Sequence, residues 1–184
     1  MPKPVFKRGK SLKQLLVRAK LPKVRQANTR AAERVNKNCV RRCNNGNGRT
    51  QCKACPYLTK RPGQVIKELK IHSSGETISI EDAINCKTKS VLYALESDKN
   101  PRQYAGQAGG TVGRRTLQHA NDVENERLSK AVPEHFKATN SKKGNLVMTP
   151  FKVIKSNDPF VRLHFEREFI SKHDFIEGGV NRIL

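Results

Sequence analysis

Five side chains in the second half of the chain have the types and spacing that suit chemistry on a phosphodiester. Tyr93 and Tyr104 lie eleven residues apart on a predicted hairpin, and Arg115 and His119 lie four apart on a predicted helix. An arginine contacts a phosphate through a planar fork of donors, which suits the extra negative charge of a pentavalent transition state. Glu166, on a later predicted helix, can hold a divalent cation beside them.

The two tyrosines are candidates for taking a proton from an attacking water. A tyrosine has an ordinary pKa of about 10, so it acts as a base only when a neighbour favours its phenolate. Arg115 or a metal ion would do so, and His119 can orient a tyrosine hydroxyl or protonate a leaving group. We expect Tyr93, oriented by Tyr104 or His119, to be the general base. The alternatives are tyrosines that only pack on a strand and a solvated basic helix face.

Glu166 and Glu168 compete for the role of metal ligand on the last predicted helix. Glu166 shares a helix face with Leu163 and Ile170, and this apolar face should point toward the sheet. Glu168 lies on the solvated face, where a surface salt bridge is the ordinary role of a carboxylate. We therefore expect Glu166 to hold Mg²⁺ or Mn²⁺.

All five cysteines lie within residues 39–86 and include a CxxC pair, a common half-site for tetrahedral zinc. A zinc site would also explain how a segment poor in apolar residues folds. Reduced thiols without a metal are the alternative. The predicted zinc ligands are Cys43, Cys52, Cys55 and Cys86, with Cys39 or His72 as a substitute for one of them.

The formal net charge of +21 is concentrated in the first part of the chain. Residues 1–70 carry a net charge of +18, whereas residues 71–184 carry only +3. A basic arm beside a nearly balanced domain indicates a footprint for nucleic acid. A solubilising tail or an arm that binds an anionic membrane is the alternative, but the arm lacks the aromatic anchors of a membrane-surface helix. The expected nucleic-acid contacts are Lys7, Arg8, Lys10, Arg18, Lys20, Arg41, Arg42 and Arg114.

Targeting signals and membrane spans are not evident in the sequence. The chain has no run of eighteen apolar residues, so no membrane span is predicted. The N-terminus lacks the apolar core of a signal peptide. We therefore expect an intracellular location, in the nucleus, with no membrane partner.

The elements that must position these groups predict a small α/β fold. We expect a small antiparallel β-sheet flanked by helices, preceded by a basic region that contains the cysteines. The predicted division is a basic arm with a short amphipathic helix (1–37), a cysteine-containing, zinc-binding linker region (38–86) and a compact domain (87–184).

Turn residues and apolar periodicity locate the individual elements. Pairing across a turn at 97–101 would set Tyr93 near Tyr104 on one face of the sheet. The predicted strands are Val91–Glu96, Gln103–Gly106 and Phe151–Lys155, with a small hairpin over 71–80. The predicted helices run from Ser11 to Ala19, from Gly109-Gly110-Thr111 to about Ala131, and from an Asp158 cap to about His173.

Residues 89–182 resemble a GIY-YIG nuclease domain. Val91-Leu92-Tyr93 stands at the position of the first tripeptide of that family, and Tyr104-Ala105-Gly106 at the second. The resemblance implies catalytic roles for both tyrosines and for the residues that match the helical Arg and His and the metal-binding Glu. These further matches are Arg115, His119 and Glu166, followed by Ile170 and the closing Gly179-Val180-Asn181.

A narrower resemblance, to the endonuclease module of Penelope-like retroelements, covers nearly the whole chain. The matching segments are Ser11–Leu21, Cys52–Pro56, Asn85-Cys86 and Val132–Phe136. Those elements carry this module downstream of a reverse transcriptase. The resemblance implies a nuclease that nicks target DNA and leaves a 3′ hydroxyl to prime reverse transcription. Its partners would be DNA and, in the same polyprotein, a reverse transcriptase with its RNA.

The chain departs from the retroelement pattern at a few positions. A second cysteine pair is expected between the tripeptides, where this chain has Ser97–Asn100, and a second histidine is expected after His135, where it has Asn140. A second zinc site is therefore not expected. Ala105 and Ala108 replace a branched residue and a threonine, which affects packing. A catalytically inactive nucleic-acid-binding module with a zinc knuckle, or an RNA-associated protein, is the alternative function.

Overall fold

The structure, a computed structural model, describes residues 38–43 and 52–182. The described residues belong to one compact unit, Lys37–Leu184. The helix predicted after Ser11 lies outside the described residues. So do five of the predicted nucleic-acid contacts: Lys7, Arg8, Lys10, Arg18 and Lys20. In the described part of the chain the fold is α/β, with small antiparallel sheets, helices and a cysteine cluster.

The secondary structure alternates short strands with short helices. The strands are β1 (Cys39–Val40), β2 (Glu68–Lys70), β3 (Thr77–Ser79), β4 (Ala83–Ile84), β5 (Lys89–Ser97), β6 (Asn100–Thr111) and β7 (Leu146–Val153). The helices are α1 (Cys55–Leu58), α2 (Val112–Glu124), α3 (Ala131–Ala138) and α4 (Pro159–Lys172), with a 3₁₀ turn at Lys143–Asn145 before β7. None of the helices in these described ranges is both long enough and apolar enough to span a membrane.

The central sheet has the strand order β6-β5-β7 and is antiparallel throughout. The predicted hairpin is confirmed, with Asp98 and Lys99 as its connection. Tyr93 pairs with Gly106, and two residues further along Leu95 pairs with Tyr104. Because residues two apart on a strand share a face, both tyrosines lie on the same side of the sheet.

β6 is longer than the predicted strand Gln103–Gly106, and β7 begins earlier than the predicted strand Phe151–Lys155. β6 continues to Thr111 because Gly109 and Gly110 stay extended, and Thr111 then caps α2 by accepting the Arg114 N–H. β7 begins five residues before the predicted Phe151. Pro150, which reads as a strand break, is tolerated because β7 is an edge strand and its register shifts there.

α2 covers the face of the sheet that carries Tyr93. Its buried Thr116 hydroxyl donates to the Val112 carbonyl and also lies 2.9 Å from the Met148 sulfur on β7. The prediction that this helix runs to Ala131 is wrong, because it ends at Glu124. Glu126 has a φ of 48°, and this left-handed residue ends the helix.

The last helix follows its prediction closely. α4 begins at Pro159 after the Asp158 cap, whose side chain accepts the Phe160 N–H, and its C-cap is His173. The ring of Phe169 packs on Phe151 of the sheet with a centroid distance of 4.6 Å. α3, which includes Val132–Phe136, was not predicted from the sequence.

Small two-stranded sheets connect the cysteine segment to this domain. β1 pairs in parallel with β4, and β2 pairs with β3 as a small hairpin. The hairpin predicted over 71–80 begins earlier than expected, because its first strand is Glu68–Lys70. Gln103 of β6 anchors that hairpin, since its side chain accepts the His72 N–H and donates to the Lys70 carbonyl. The cysteine segment therefore packs on the central sheet.

Candidate functional site

Three of the predicted site residues form one hydrogen-bonded group beneath α2. The Arg115 Nε donates to the Tyr93 hydroxyl at 2.9 Å, and that hydroxyl lies 2.7 Å from His119 Nε2. Tyr93 is fully buried and His119 is 6% exposed. The spacing of four residues between Arg115 and His119 lets both side chains reach one tyrosine oxygen.

The hydrogen bonds around Tyr93 join it to one obligate donor and one neutral histidine. The guanidinium of Arg115 can only donate, so the Tyr93 oxygen is the acceptor of that bond. Burial keeps His119 neutral, and its tautomer decides the direction of the second bond. With the ring hydrogen on Nδ1, the Nε2 atom accepts the Tyr93 hydroxyl hydrogen, whereas with the ring hydrogen on Nε2 the histidine donates to the Tyr93 oxygen.

Gly106 makes room for this hydroxyl. A Cβ on Gly106 would lie 2.6 Å from the Tyr93 hydroxyl oxygen and 2.9 Å from Cε1 of the Tyr104 ring. A side chain there would displace Tyr93 from its partners or push the two rings apart. The glycine of the Tyr-Ala-Gly tripeptide is thus explained by close approach, since its φ is not positive.

Glu166 and Tyr104 face the same cleft from the other side. The Glu166 carboxylate accepts the Gln107 N–H from β6 at 3.1 Å, and the ring of Tyr104 lies 5.9 Å from the ring of His119. Glu166 is half-buried and Glu168 is exposed, as the helix-face argument predicts. A cleft of about 400 Å³ is lined by Tyr104, Arg115, His119 and Glu166.

Burial sets the protonation of these groups. It lowers the pKa of His119 to about 3, with the positive charge of Arg115 adding to the effect. It raises the pKa of Tyr93 well above the ordinary value, against the opposing influence of Arg115. It also raises the pKa of Tyr104, to which the negative charge of Glu166 contributes. At neutral pH the tyrosines are protonated and the histidine is neutral.

The burial of the Glu166 carboxylate likewise raises its pKa, although the Gln107 N–H and the charge of Arg115 favour the ionised form. A partly desolvated carboxylate at a cleft is a good ligand for a hard divalent cation, which would remove the cost of its burial. Glu166 therefore has the chemistry of a ligand for such a cation.

The cleft contains further polar residues that the sequence reading did not place in the site. Asp122 is buried and accepts ion pairs from Lys130 Nζ at 2.6 Å and Arg127 Nη1 at 3.3 Å. Asp122 lies three residues after His119, so helical spacing is the signal that could have placed it there. Asn181 pins the C-terminal segment to β6, since its side chain donates to and accepts from the Ala105 backbone at 2.8 Å.

The described residues among the predicted nucleic-acid contacts differ in their surroundings. Arg41 and Arg114 are exposed, and Arg114 lies on α2, next in sequence to Arg115. Arg42 is instead held against the loop after α1, where its guanidinium donates to the side chain and carbonyl of Thr59. Arg42 therefore braces the cysteine segment.

Four of the five cysteines converge on one point. Their sulfur atoms all lie within 4.8 Å of one another, with Cys43–Cys55 and Cys52–Cys86 separations of 3.5 Å. Tetrahedral zinc, with Zn–S bonds of ~2.3 Å, sets sulfurs ~3.8 Å apart. The predicted group can hold a metal such as zinc, and the proposed substitutes Cys39 and His72 lie outside it.

The electrostatics of the cluster also suit a cation. Burial opposes ionisation of Cys52, but hydrogen bonds from the Ala54 backbone and the Cys86 thiol outweigh it and lower the Cys52 pKa to about 7. Burial raises the pKa of Cys55 to about 11 and moves that of Cys86 higher still. Four crowded thiols cannot all ionise alone, whereas a divalent cation stabilises all four thiolates.

Comparison of the chain with protein-family models, with curated proteins and with solved structures finds no match.

Proposed function

We propose that this chain is a metal-dependent DNA endonuclease of the GIY-YIG type, which hydrolyses a phosphodiester in the cleft between α2 and α4. The observation that carries the proposal is the shared Tyr93 hydroxyl, bonded to Arg115 and His119 beside a cleft that also contains Tyr104 and Glu166. A metal-dependent phosphodiester hydrolase uses a cationic group at the phosphate, a proton acceptor and a carboxylate for the metal ion, and this group offers all three.

The proton route that we propose uses the His119 tautomer whose Nε2 accepts the Tyr93 hydroxyl hydrogen. Tyr93 is fully buried and its phenolate is disfavoured, so it does not act as a preformed base. When the Tyr93 oxygen takes a proton from water, its own hydrogen passes to His119 Nε2, so no phenolate accumulates. The negative phosphate of a bound strand raises the pKa of His119, which makes this transfer easier.

Arg115 has two tasks in this arrangement. Its Nε holds the Tyr93 oxygen as an acceptor, and its Nη1 donates to the Gln118 side chain at 2.9 Å. The guanidinium lines the cleft, where it can neutralise the charge that develops on the phosphorus oxygens. Tyr104, also at the cleft, can donate its hydroxyl hydrogen to the phosphate or to the attacking water.

Glu166 fits the ligand role for Mg²⁺ or Mn²⁺. Its carboxylate is half-buried, faces the cleft and accepts only one backbone hydrogen bond among those found in the described residues. Mg²⁺ commonly binds proteins through one or two carboxylates and keeps several waters, so a single glutamate is sufficient. When bound, such a cation supplies charge neutralisation at the phosphate and acidifies a coordinated water.

The biological setting that we propose comes from the sequence resemblance and from the charge distribution. The basic first part of the chain would hold DNA by phosphate contacts, independently of base sequence. The nicked 3′ hydroxyl would prime reverse transcription in a retroelement, with a reverse transcriptase in the same polyprotein. The site of action would then be the nucleus.

Glu166→Gln tests the proposed chemistry because it keeps the shape of the side chain and removes its charge. Nicking of supercoiled plasmid with Mg²⁺ or Mn²⁺ should fall ~100-fold or more, while DNA binding stays nearly intact. Glu168→Gln, on the exposed side of α4, is the matched control and should be mild. Equal activity of both variants would contradict the metal role of Glu166. Absence of metal-dependent nicking by the unchanged protein, with DNA binding retained, would favour the inactive binding module.

A further inference from the structure

The cysteine cluster is in direct contact with the first turn of α2. The backbone N–H of Gly113 donates to the carbonyl of Cys86 at 2.8 Å, and the N–H of Val112 donates to the Thr88 carbonyl at 2.8 Å. The first N–H groups of a helix have no partner within the helix itself. Here two of them are bonded to Cys86 and to the segment that follows it.

Gly113 is the point of closest approach. A Cβ there would lie 3.0 Å from the Cys86 carbonyl oxygen, 3.2 Å from the Cys86 Cβ and 3.3 Å from the Ala54 Cβ. Ala54 lies inside the CxxC pair, so two of the three ligand-bearing segments approach this glycine closely. The φ of Gly113 is not positive, and glycine lowers helix stability relative to alanine. Close approach is therefore the reason for a glycine at this helical position.

We propose that a metal ion in the cysteine cluster fixes the position of α2, and that Gly113 is the positioning residue through which it acts. Metal ligation fixes the backbone at Cys86 and Ala54, and these surfaces set where the first turn of α2 lies. The effect on catalysis rests on the proposed nuclease function, whereas the positioning of α2 by the metal does not. Because α2 moves as one rigid element, displacing its first turn shifts Arg115 and His119 together, away from the Tyr93 hydroxyl. A misplacement of ~1 Å can cost ~100-fold in rate.

The coupling must be reciprocal, so a perturbation at Gly113 should weaken metal binding. Gly113→Ala places a methyl group 3.0 Å from the Cys86 carbonyl oxygen, so the Cys86 backbone must shift by a few tenths of an ångström at a residue that ligates the metal. In competition with a zinc chelator, the variant should lose zinc at roughly tenfold lower chelator concentration than the unchanged protein. Gly144→Ala is the matched control, since its Cβ would meet nothing within 4 Å and its φ is not positive. Equal zinc affinity in all three proteins would overturn the proposal.

Hydrogen exchange reads the position of α2 without any activity measurement. Removing zinc from the full chain should speed exchange at the Val112 and Gly113 amides, while the amides that pair β5 with β7 stay protected. Unchanged exchange at Val112 and Gly113 after zinc removal would overturn the proposal. If zinc removal unfolds the whole unit, the comparison of Gly113→Ala with Gly144→Ala in zinc-loaded protein decides the question.

Kinetics then connect the position of α2 to catalysis. In zinc-loaded Gly113→Ala, kcat for plasmid nicking should fall about tenfold or more with KM nearly unchanged, because the catalytic groups move whereas most of the basic residues expected to bind DNA lie outside α2. Wild-type kcat in that variant would overturn the catalytic part of the inference. If the unchanged protein does not nick DNA, the nuclease proposal fails, whereas the zinc-affinity and exchange results still decide whether the cluster positions α2.

Discussion

His119→Gln isolates the pH dependence that arises from burying one neutral histidine. His119 is 6% exposed, and burial together with the charge of Arg115 lowers its pKa to about 3 from an ordinary 6.5. In the unfolded chain the same ring takes up a proton near pH 6.5. The unfolded state therefore binds more protons than the folded state between pH 6.5 and about 3.

The sign and size of the effect follow from this difference in pKa. Above pH 6.5 neither state is protonated at His119, so the free energy of unfolding gains nothing from a further rise in pH. Below pH 6.5 each unit of pH removes ~1.4 kcal/mol until the folded-state pKa is reached. Between pH 7 and pH 5 the unchanged protein should therefore lose ~2 kcal/mol through this residue alone.

Urea unfolding followed by far-ultraviolet circular dichroism measures the loss directly. The drop in unfolding free energy from pH 7 to pH 5 should be ~2 kcal/mol smaller in His119→Gln than in the unchanged protein. Metal release from thiolates at pH 5 affects both proteins, so it cancels in the comparison. His164→Gln, at an exposed position of α4, is the matched control. An equal drop in His119→Gln and the unchanged protein would refute the neutral, buried histidine.

Three further predictions concern the arginine, the cysteine cluster and the basic arm. Arg115→Lys should lower plasmid nicking about 10- to 100-fold, nearly as much as Arg115→Ala. The reason is that a lysine ammonium cannot keep the hydrogen bonds to both Tyr93 and Gln118. Turnover like that of the unchanged protein would show that Arg115 supplies only charge. Elemental analysis should find one tightly held zinc per chain, which Cys52→Ser weakens; purified protein without metal would remove the site. Deleting residues 1–37 removes a net charge of +11. The slope of log affinity for DNA against log salt concentration should then become shallower by about 0.9 for each phosphate that the arm neutralises in the full chain. The turnover of bound DNA should stay unchanged. An unaltered slope would tell against the arm as a DNA footprint.

Local signals predict those elements whose ends are marked by particular residues. Asp158 and Pro159 locate the start of α4, and Asp98-Lys99 within a polar turn locates the hairpin. The CxxC pair similarly predicts part of the cysteine cluster, because short-range spacing alone brings Cys52 and Cys55 together. In each case the information lies within a few residues of the element.

Elements that depend on distant partners could not be predicted in the same way. Pro150 looks like a strand terminator, and only its place at the register shift of an edge strand makes it acceptable. The end of α2 depends on the left-handed Glu126, whose residue type does not signal a helix stop. For these reasons β7 begins earlier, and α2 ends earlier, than the local sequence pattern predicts.

How deeply the site residues are buried depends on tertiary packing, and this burial determines their protonation. Sequence spacing predicts that Arg115 and His119 share a helix face, but it does not predict that α2 closes over Tyr93 and buries it fully. That closure follows from the packing of Thr116 on Met148 and from the contact of Gly113 with Cys86. A general base exposed to solvent is the natural expectation for a tyrosine on a half-buried strand. Tyr93 is instead fully buried and hydrogen-bonded to His119 Nε2, so the base that we propose is a relay in which the tyrosine oxygen and the histidine nitrogen act together.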